Sequence, residues 1–283
     1  MLRKIAGVNI SYALPSIDDI KLAVFDMDGT LLGPDHAVHP ENIDAIHRLN
    51  NSGVHVLLAS GRNHDNLSQW YEKLHLVGPV VSGNGALVRD FASQTTILES
   101  ALDPTTAYTV LNIGRQINIT QVVDHTDGTA VVESKTFWGD LVGERCGRPL
   151  LLVESLDSIC LDGPRKILWV ADGPLIAQWE IALRTLLKGK ANITVSGEEY
   201  LEILPFETHK GKGVIAAASH LGYLPEHTLS AGDSDNDAEM LGWSRYGMAM
   251  AHATEKAKNM ARFTLPDGDP ETAIAKMIHS LYK

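Results

Sequence analysis

Three short apolar runs near the start of the chain constrain its fold more than any other feature. They cover residues 21–26, 54–59 and 79–82, and the segments between them have the spacing of apolar residues that is typical of helices. A short run that is apolar throughout suits a strand buried on both faces of a parallel sheet. Such strands, alternating with helices, predict right-handed crossover units and an α/β fold with a doubly wound, Rossmann-like parallel sheet.

The same alternation returns in the last part of the chain. Strands are predicted at 228–232 and 246–250. Helices are predicted around these strands at 211–221, 236–242, 254–260 and 270–282. Both ends of the chain therefore contribute to one α/β core.

The middle of the chain has a different pattern, with more strands and turn signals. The predicted strands lie at 95–99, 121–133, 166–171 and 192–204, and the predicted helices at 104–117 and 174–188. We therefore predict that residues 1–88 and 206–283 form the core and that residues 89–205 form an inserted α+β domain.

Charge and cysteine content limit the partners and the location of the protein. With 24 Lys and Arg against 35 Asp and Glu, the net charge is −11 at pH 7, which disfavours binding to nucleic acid or to an anionic membrane. The two cysteines, Cys146 and Cys160, lack metal-ligand spacing and are typical of a reducing compartment. Without a signal-peptide pattern or a run of about 18 apolar residues, a cytoplasmic protein with no membrane span is expected.

Two carboxylates follow the first predicted strand. Asp26 and Asp28 lie at its end, just before Gly29, where the chain can bend. In a parallel sheet, the crevice that binds ligands lies at the carboxyl ends of the strands. One carboxylate could act there as a nucleophile and the other as an acid or base. Taken alone, the motif is equally compatible with an Asp-Gly turn that has no function.

A second acidic segment follows the predicted strand at 228–232. It contains Asp233, Asn236 and Asp237, and carboxylates gathered at one crevice repel each other unless a cation joins them. Mg²⁺ fits such a site, since it binds a few carboxylates together with a substrate phosphate. The spacing also imitates a calcium-binding EF-hand loop, but Ala238 and Ser244 stand where that loop needs Gly and Glu.

Two further segments carry groups that suit a phosphate. Ser60, Gly61 and Arg62 follow the second strand at the predicted start of a helix, where a hydroxyl and free backbone N–H groups can bind an anion. Lys210 and Lys212 open the first helix after the insert, where a lysine can neutralise both a carboxylate and a phosphate. The alternatives without function are capping of the helix by Ser60 and solvation of either lysine.

Four segments, in this order, give the chain a family resemblance. FDMDGTLL, LLASGR, HKGKGV and GDSDND resemble the four motifs of the haloacid dehalogenase-like superfamily of phosphohydrolases. The large insert between the second and third motifs is similar to the Cof-type branch, which has an α/β cap domain there, and SGNGALV and YLEILP also match. Two sites depart from the branch, because Ser60 replaces a threonine, and Ala251 and His252 replace Gly and Asn.

The resemblance implies a role for each matching residue. Asp26 would be the nucleophile and a ligand of Mg²⁺, and Asp28 would be the general acid and base, with its backbone carbonyl on the metal. Asp233 would be the third ligand, and Asp237 would either bind the metal directly or hold a metal-bound water. The residues implied to contact the phosphoryl group or the leaving group are Ser60, Gly61, Asn84, Gly85, Lys210 and Asn236.

The implied function is Mg²⁺-dependent hydrolysis of the phosphate ester of a small metabolite through an aspartyl-phosphate. By the same resemblance, sugar phosphates are the leading substrate class, followed by pyridoxal phosphate and flavin nucleotides. One alternative is a phosphomutase of the same superfamily. Another is a phosphorylatable switch without turnover, although Asp28 argues against it because that carboxylate would activate water. The sequence assigns no role to Arg62, Lys212 or His252.

Overall fold

The computed structural model describes the backbone of residues 2–5, 8–11, 14–125, 128–146 and 150–282. Positions 126 and 127, inside one predicted strand of the insert, lie outside these residues. None of the helices within the described ranges is long and apolar enough to cross a membrane.

The secondary structure alternates between strands and helices along most of the chain. The strands are β1 (Leu2–Ile5), β2 (Val8–Ser11), β3 (Leu22–Phe25), β4 (His55–Leu58), β5 (Pro79–Ser82), β6 (Leu87–Asp90), β7 (Thr96–Glu99), β8 (Thr120–Asp124), β9 (Ala130–Val132), β10 (Leu151–Leu152), β11 (Lys166–Val170), β12 (Ala191–Gly197), β13 (Tyr200–Pro205), β14 (Thr228–Gly232), β15 (Tyr246–Ala249) and β16 (Phe263–Thr264). The helices are α1 (Pro40–Asn51), α2 (Ser68–Lys73), α3 (Pro104–Gln116), α4 (Phe137–Cys146), α5 (Asp157–Leu161), α6 (Gly173–Leu186), α7 (Lys210–Leu221), α8 (Ala238–Trp243), α9 (Glu255–Met260) and α10 (Ala273–Ser280).

The core is built on a parallel sheet with the strand order β16-β15-β14-β3-β4. Within it, Phe25 of β3 pairs in register with Leu58 of β4 and with Ala231 of β14. A parallel bridge between Ala59 and Val81 places β5 beside β4, and β5 continues into an antiparallel sheet with β6 and β7. The carboxyl ends of β3, β4, β5 and β14 therefore meet at one edge.

Two hydrophobic clusters cover the two faces of the parallel sheet. Ala23 and Phe25 belong to the cluster that includes α1 and α10, whereas Leu22 and Val24 belong to the cluster that includes α7. Alternate residues of one strand thus enter opposite cores, as expected for a sheet covered by helices on both faces. The predicted doubly wound α/β core is confirmed.

The inserted part is an α+β unit around a six-stranded sheet with the order β10-β9-β8-β11-β13-β12. Only β9 and β10 are parallel neighbours in this sheet. α3 and α6 pack on one face through a cluster that contains the buried Trp169. α4 covers part of the other face, where Val142 packs with Val122 and Leu168. The predicted α+β insert is confirmed, and we refer to it as the cap.

Most differences from the prediction lie in the cap. No helix is predicted at α4, a segment whose helix propensity is lowered by Gly139 and Gly143. The predicted strand at 192–204 is a pair, β12 and β13, and the one at 121–133 contains both β8 and β9. Turn signals inside the two segments, Gly128 in one and Gly197 in the other, are the sequence features that mark the division of each into two strands.

The strands β6 and β7, which follow β5, pack against the core. Ile97 and Leu98 of β7 pack on the cluster that includes α7. The predicted insert begins at residue 89, before these residues. The boundaries of the inserted domain stay a prediction.

His64 is a buried titratable residue of the core. It lies just before α2, is 4% exposed and stacks on Phe91 with ring centroids 4.1 Å apart. Neither ring nitrogen has a hydrogen-bond partner among the described residues. Burial lowers the pKa of His64 from 6.5 to about 4, although nearby Asp65 opposes the shift. The ring is therefore neutral in the folded protein at pH 7.

This lowered pKa predicts a loss of stability in mild acid. Below about pH 6.5 the unfolded chain protonates His64, whereas the folded protein does so only near pH 4, so stability falls as the pH drops through that window. His64→Phe keeps an aromatic ring against Phe91 and removes the titration. We expect the drop in unfolding free energy from pH 7.5 to pH 5, measured with urea, to be about 1–2 kcal/mol smaller in this variant. An equal drop in both proteins would contradict the interpretation.

Candidate active site

Four turns meet at the carboxyl edge of the parallel sheet. Asp26 follows β3, Ser60 follows β4, Asn84 follows β5 and Asp233 follows β14. This is the edge at which open α/β sheets bind ligands. A cleft between this edge and the cap has a free volume of about 840 Å³, its open mouth included, and Asp26 is among the residues that line it.

Lys210 is the cation at the centre of this edge. It begins α7, is 1% exposed, and its Nζ donates hydrogen bonds to Asp26 Oδ1 and, at 2.7 Å, to Asp237 Oδ1. Burial alone would lower the pKa of Lys210, but Asp237 and Asp26 raise it above its ordinary value. The ammonium group is therefore charged and fixed between two acids.

Asp26, Asp233 and Asp237 form a cluster of carboxylates. One oxygen of each lies within 4.8 Å of the others, and Asp26 and Asp237 are buried. Burial and the negative charge of Asp237 raise the pKa of Asp26 well above its ordinary value, and they also raise the pKa of Asp233. One lysine does not balance three carboxylates, so the all-oxygen cluster fits a hard divalent cation such as Mg²⁺.

Asp237 also holds its own loop in place. Its Oδ2 accepts hydrogen bonds from the backbone N–H groups of Asp233 and Ser234, each at 3.0 Å. On the facing turn, Gly29 has a φ of +81°, and a Cβ there would lie 2.7 Å from Asp233 Oδ2. The two acidic turns therefore pack so closely that a side chain at position 29 would collide with a carboxylate.

The side chain of Asp28 pairs with Arg62 and does not join the carboxylate cluster. Arg62 donates to both of its oxygens, from Nε to Oδ2 at 2.8 Å and from Nη2 to Oδ1 at 2.6 Å. Burial alone would raise the pKa of Asp28, but Arg62 lowers it, with a smaller contribution from Arg145 at 3.9 Å. The structure thus gives Arg62, to which the sequence assigns no role, a contact with the candidate acid and base.

Ser60 and Gly61 form the start of the turn after β4. Ser60 is buried, and its hydroxyl accepts a hydrogen bond from the backbone N–H of Arg62 at 3.1 Å. The Gly61 carbonyl accepts from Nζ of the cap residue Lys166 at 3.0 Å. Ser60 thus stabilises its turn and Gly61 contacts the cap, while their contact with a phosphoryl group stays a prediction.

The side-chain amide of Asn84 holds the segment after β5 through both its nitrogen and its oxygen. Asn84 has a φ of +52°, its Nδ2 donates to Glu202 Oε2 at 2.6 Å, and its Oδ1 accepts from Asn236 Nδ2 at 2.9 Å. At Gly85, a Cβ would lie 2.3 Å from the His209 carbonyl oxygen, so only glycine fits. Gly85 therefore allows close packing on the start of α7, and its contact with a leaving group stays a prediction.

The cap contributes charged residues that the sequence analysis did not single out. Nζ of Lys166 lies 3.4 Å from Asp124 Oδ2 and 3.5 Å from Glu202 Oε2. All three residues are less than one-tenth exposed. Lys166 and Glu202 stand in largely apolar strands, and a charged residue in such a strand is the signal that could have identified these two.

Known proteins resemble the chain over most of its length. An HMP-PP phosphatase of Cronobacter sakazakii is 28% identical over 240 residues, which are 82% of this chain and 85% of that protein. A HAD/COF-like hydrolase of Plasmodium vivax matches with a TM-score of 0.85 and 24% identity, over 93% of this chain and 96% of that one. A sugar phosphatase of HAD subclass IIB matches with a TM-score of 0.79 and 19% identity, over 92% and 98%. The two structures share the fold described above.

One family accounts for the whole arrangement of core, cap and acidic edge. A family model described as haloacid dehalogenase-like hydrolase matches residues 23–278, which include every residue of the carboxylate cluster and Lys210. The resemblance found in the sequence, and with it the expectation of an enzyme, is confirmed. The chain belongs to the haloacid dehalogenase-like hydrolase family.

Proposed function

We propose that the protein hydrolyses the phosphate ester of a small metabolite. The observation that supports this most is the position of Lys210, which is fixed between Asp26 and Asp237 beside the cleft. A carboxylate that faces a fixed cation is a nucleophile that can approach an anionic ester. Membership of a hydrolase family and the name of the HMP-PP phosphatase relative support the same reaction.

Asp26 is the proposed nucleophile. One of its oxygens bonds to phosphorus as the bond from phosphorus to the leaving oxygen breaks, and the leaving oxygen takes a proton that Asp28 has gained from solvent after its release from Arg62. Asp28 then takes a proton from water as that water attacks phosphorus and the bond between phosphorus and the Asp26 oxygen breaks, which releases inorganic phosphate and restores both side chains. Ser60, Gly61 and Asn236 are the proposed hydrogen-bond donors to the phosphoryl oxygens.

Arg62 controls the availability of Asp28 for this role. In the free protein, both oxygens of Asp28 accept hydrogen bonds from Arg62. Arg62 also lines the cleft, where the phosphoryl group of a substrate competes for its guanidinium group. We therefore propose that substrate binding draws Arg62 away and frees the Asp28 carboxyl group for proton transfer.

Asp26, Asp233 and Asp237 are the proposed side-chain ligands of Mg²⁺, together with the backbone carbonyl of Asp28. The oxygens of the three side chains lie close together, and the pKa values of Asp26 and Asp233 are raised. Both observations indicate an excess of negative charge in the carboxylate cluster, which a cation would balance. When bound, Mg²⁺ supplies positive charge that favours ionised Asp26 and weakens its repulsion from the phosphoryl group.

We propose that the cap, residues 89–205, selects the substrate. The charged cap residues that line the cleft are all engaged with one another or with core residues, namely Asp124, Arg145, Lys166 and Glu202. Apolar and aromatic side chains provide much of the remaining cap lining, namely Val122, Ala130, Val142, Leu168 and Tyr200. Such a wall suits the planar ring of a phosphorylated cofactor better than a sugar, whose hydroxyls need polar partners.

Replacement of the proposed nucleophile tests the reaction. Asp26→Asn should lower kcat for phosphate release from the preferred substrate by at least ~1000-fold, since an amide is a poor nucleophile. The measurement is inorganic phosphate released from sugar phosphates, pyridoxal 5′-phosphate, flavin mononucleotide and p-nitrophenyl phosphate. Asp44→Asn makes the same change at an exposed position of α1 and should keep full activity. Release that survives in folded Asp26→Asn would refute the role of Asp26.

Thermal unfolding tests the metal site without activity. Mg²⁺ at about a hundredfold excess over its Kd should raise the wild-type Tm by about 5 °C relative to Na⁺ at equal ionic strength. Asp233→Asn should lose most of this rise, yet without Mg²⁺ its Tm should equal or exceed that of the wild type, because one repulsive charge is gone. The same Mg²⁺ response in both proteins would rule out Asp233 as a ligand.

The apolar wall predicts an order of substrates. We expect kcat/KM for pyridoxal 5′-phosphate to exceed that for glucose 6-phosphate by at least about tenfold, a ratio that corresponds to about 1.4 kcal/mol of apolar contact. Leu168→Ala should lower the value for pyridoxal 5′-phosphate more than the value for the sugar. Equal values in the wild type would contradict the proposed class and leave the hydrolase proposal intact. A sugar product with a relocated phosphate would instead identify a mutase.

A further inference from the structure

We infer that Glu202, on the cap strand β13, is a positioning residue for the phosphate site, because through Asn84 it fixes the orientation of the Asn236 amide. This inference rests on the proposed function, since it concerns how the site presents Asn236 to a phosphoryl group. Glu202 itself touches neither the carboxylate cluster nor Lys210 by any hydrogen bond among the described residues.

Glu202, Asn84 and Asn236 form a chain of hydrogen bonds from the cap to the acidic edge, which we name the amide relay. Glu202 Oε2 accepts from Asn84 Nδ2 at 2.6 Å, and Asn84 Oδ1 accepts from Asn236 Nδ2 at 2.9 Å. Glu202 is 4% exposed and Asn84 is 1% exposed, so bulk water does not replace these bonds. The relay ends beside the cluster, because Asn236 lines the cleft and precedes Asp237.

The relay has a fixed direction because an ionised carboxylate only accepts hydrogen bonds. Ser196 Oγ donates to Glu202 Oε1 at 2.5 Å, and Nζ of Lys166 lies 3.5 Å from Oε2, so donors surround both oxygens. Asn84 must then turn its Nδ2 to Glu202 and its Oδ1 to Asn236. Asn236 must in turn direct its Nδ2 to Asn84. An acid in the cap thus decides which end of an amide in the core is the donor.

The backbone around Asn84 is fixed, so the relay cannot adjust by a movement of the main chain. Asn84 has a left-handed φ of +52°, which asparagine tolerates better than most residues. Its N–H donates to the Ser60 carbonyl at 3.0 Å. With the main chain fixed, only rotation of the amide groups can change the pattern of donors and acceptors.

The direction of the relay matters at its Asn236 end. Nδ2 carries two hydrogens, and the relay uses one, so the other is available to a phosphoryl oxygen. Asn236 Oδ1 is buried without a hydrogen-bond partner among the described residues. A reversed amide would present this oxygen in place of the donor, and it would repel the charge that develops on the phosphoryl group.

An exchange of acid and amide tests the direction. Glu202→Gln removes the fixed acceptor, and Asn84→Asp sets two carboxylates against each other, so each should lower kcat at least about tenfold. The double variant E202Q/N84D restores both hydrogen bonds of the relay, because the new glutamine amide donates to the new aspartate, which also accepts from Asn236, while the ion pair of Glu202 with Lys166 stays lost in both E202Q proteins. We expect its kcat to recover at least about tenfold over the weaker single variant.

Asn192→Ala is the matched control for attachment of the cap. Asn192 on β12 donates to the Thr208 carbonyl at 2.6 Å and so joins the cap to the core outside the relay. We expect this variant to keep kcat within about twofold of the wild type. If it lowers kcat as much as Glu202→Gln does, or if the double variant shows no recovery, Glu202 acts only by attaching the cap and the inference is wrong.

Binding of inorganic phosphate separates this inference from the proposed function. Calorimetric titration with inorganic phosphate should show about tenfold weaker binding in Glu202→Gln and recovery in the double variant. If the wild type hydrolyses no ester but phosphate binding follows this order, the proposed reaction fails and the relay stands. If the wild type hydrolyses esters and the variants match it in both kcat and phosphate binding, the relay fails and the reaction stands. Circular dichroism of each variant confirms that the compared proteins are folded.

Discussion

The repulsion among carboxylates at one edge of a sheet is the constraint on which the rest of this structure depends. Parallel pairing of β3 with β14 places Asp26 and the acidic turn after β14 side by side. Buried charges are costly unless they are paired and hydrogen-bonded, and Lys210 meets part of that need from the first turn of α7. Apolar side chains in these positions would pack without such a cost, so the arrangement serves binding and chemistry more than stability.

The path of the chain ties the cap to this edge. β13 ends at Pro205 and α7 begins at Lys210, so only residues 206–209 separate the strand that carries Glu202 from the central lysine. Hydrogen bonds across the cleft also join the cap to the turn after β4. Nζ of the cap residue Lys166 donates to the Gly61 carbonyl, and Arg62 donates to the backbone carbonyl of the cap residue Arg145 at 3.1 Å. The seating of the cap therefore bears directly on the site.

Sequence reasoning could locate the core strands and the residues at their ends, because both follow from local patterns. An apolar run predicts a buried strand, and the strand-end rule then brings Asp26, Asp233 and Asp237 together. The pairing of Arg62 with Asp28 could not be predicted, because it depends on how two turns 34 positions apart are oriented. The bond from Asn84 to Glu202 spans 118 positions and exists only with the cap in place. The type of a residue also does not reveal whether it is there for packing or for contact with a ligand. Gly85 matches a motif expected to contact the leaving group, but its close approach to His209 already requires a glycine.

The two aspartates that begin the acidic edge have different partners in the free protein, and this difference limits when the site can react. Asp26 lies among other acids that raise its pKa, while Asp28 is held by Arg62. In the proposed mechanism, attack on phosphorus needs the first as a bare carboxylate and the second free to exchange a proton. A bound cation favours the first condition, and an anionic substrate that competes for Arg62 favours the second. Since different ligands satisfy the two conditions, neither ligand alone would prepare both carboxyl groups, and the proposed chemistry would be confined to the complex that contains both.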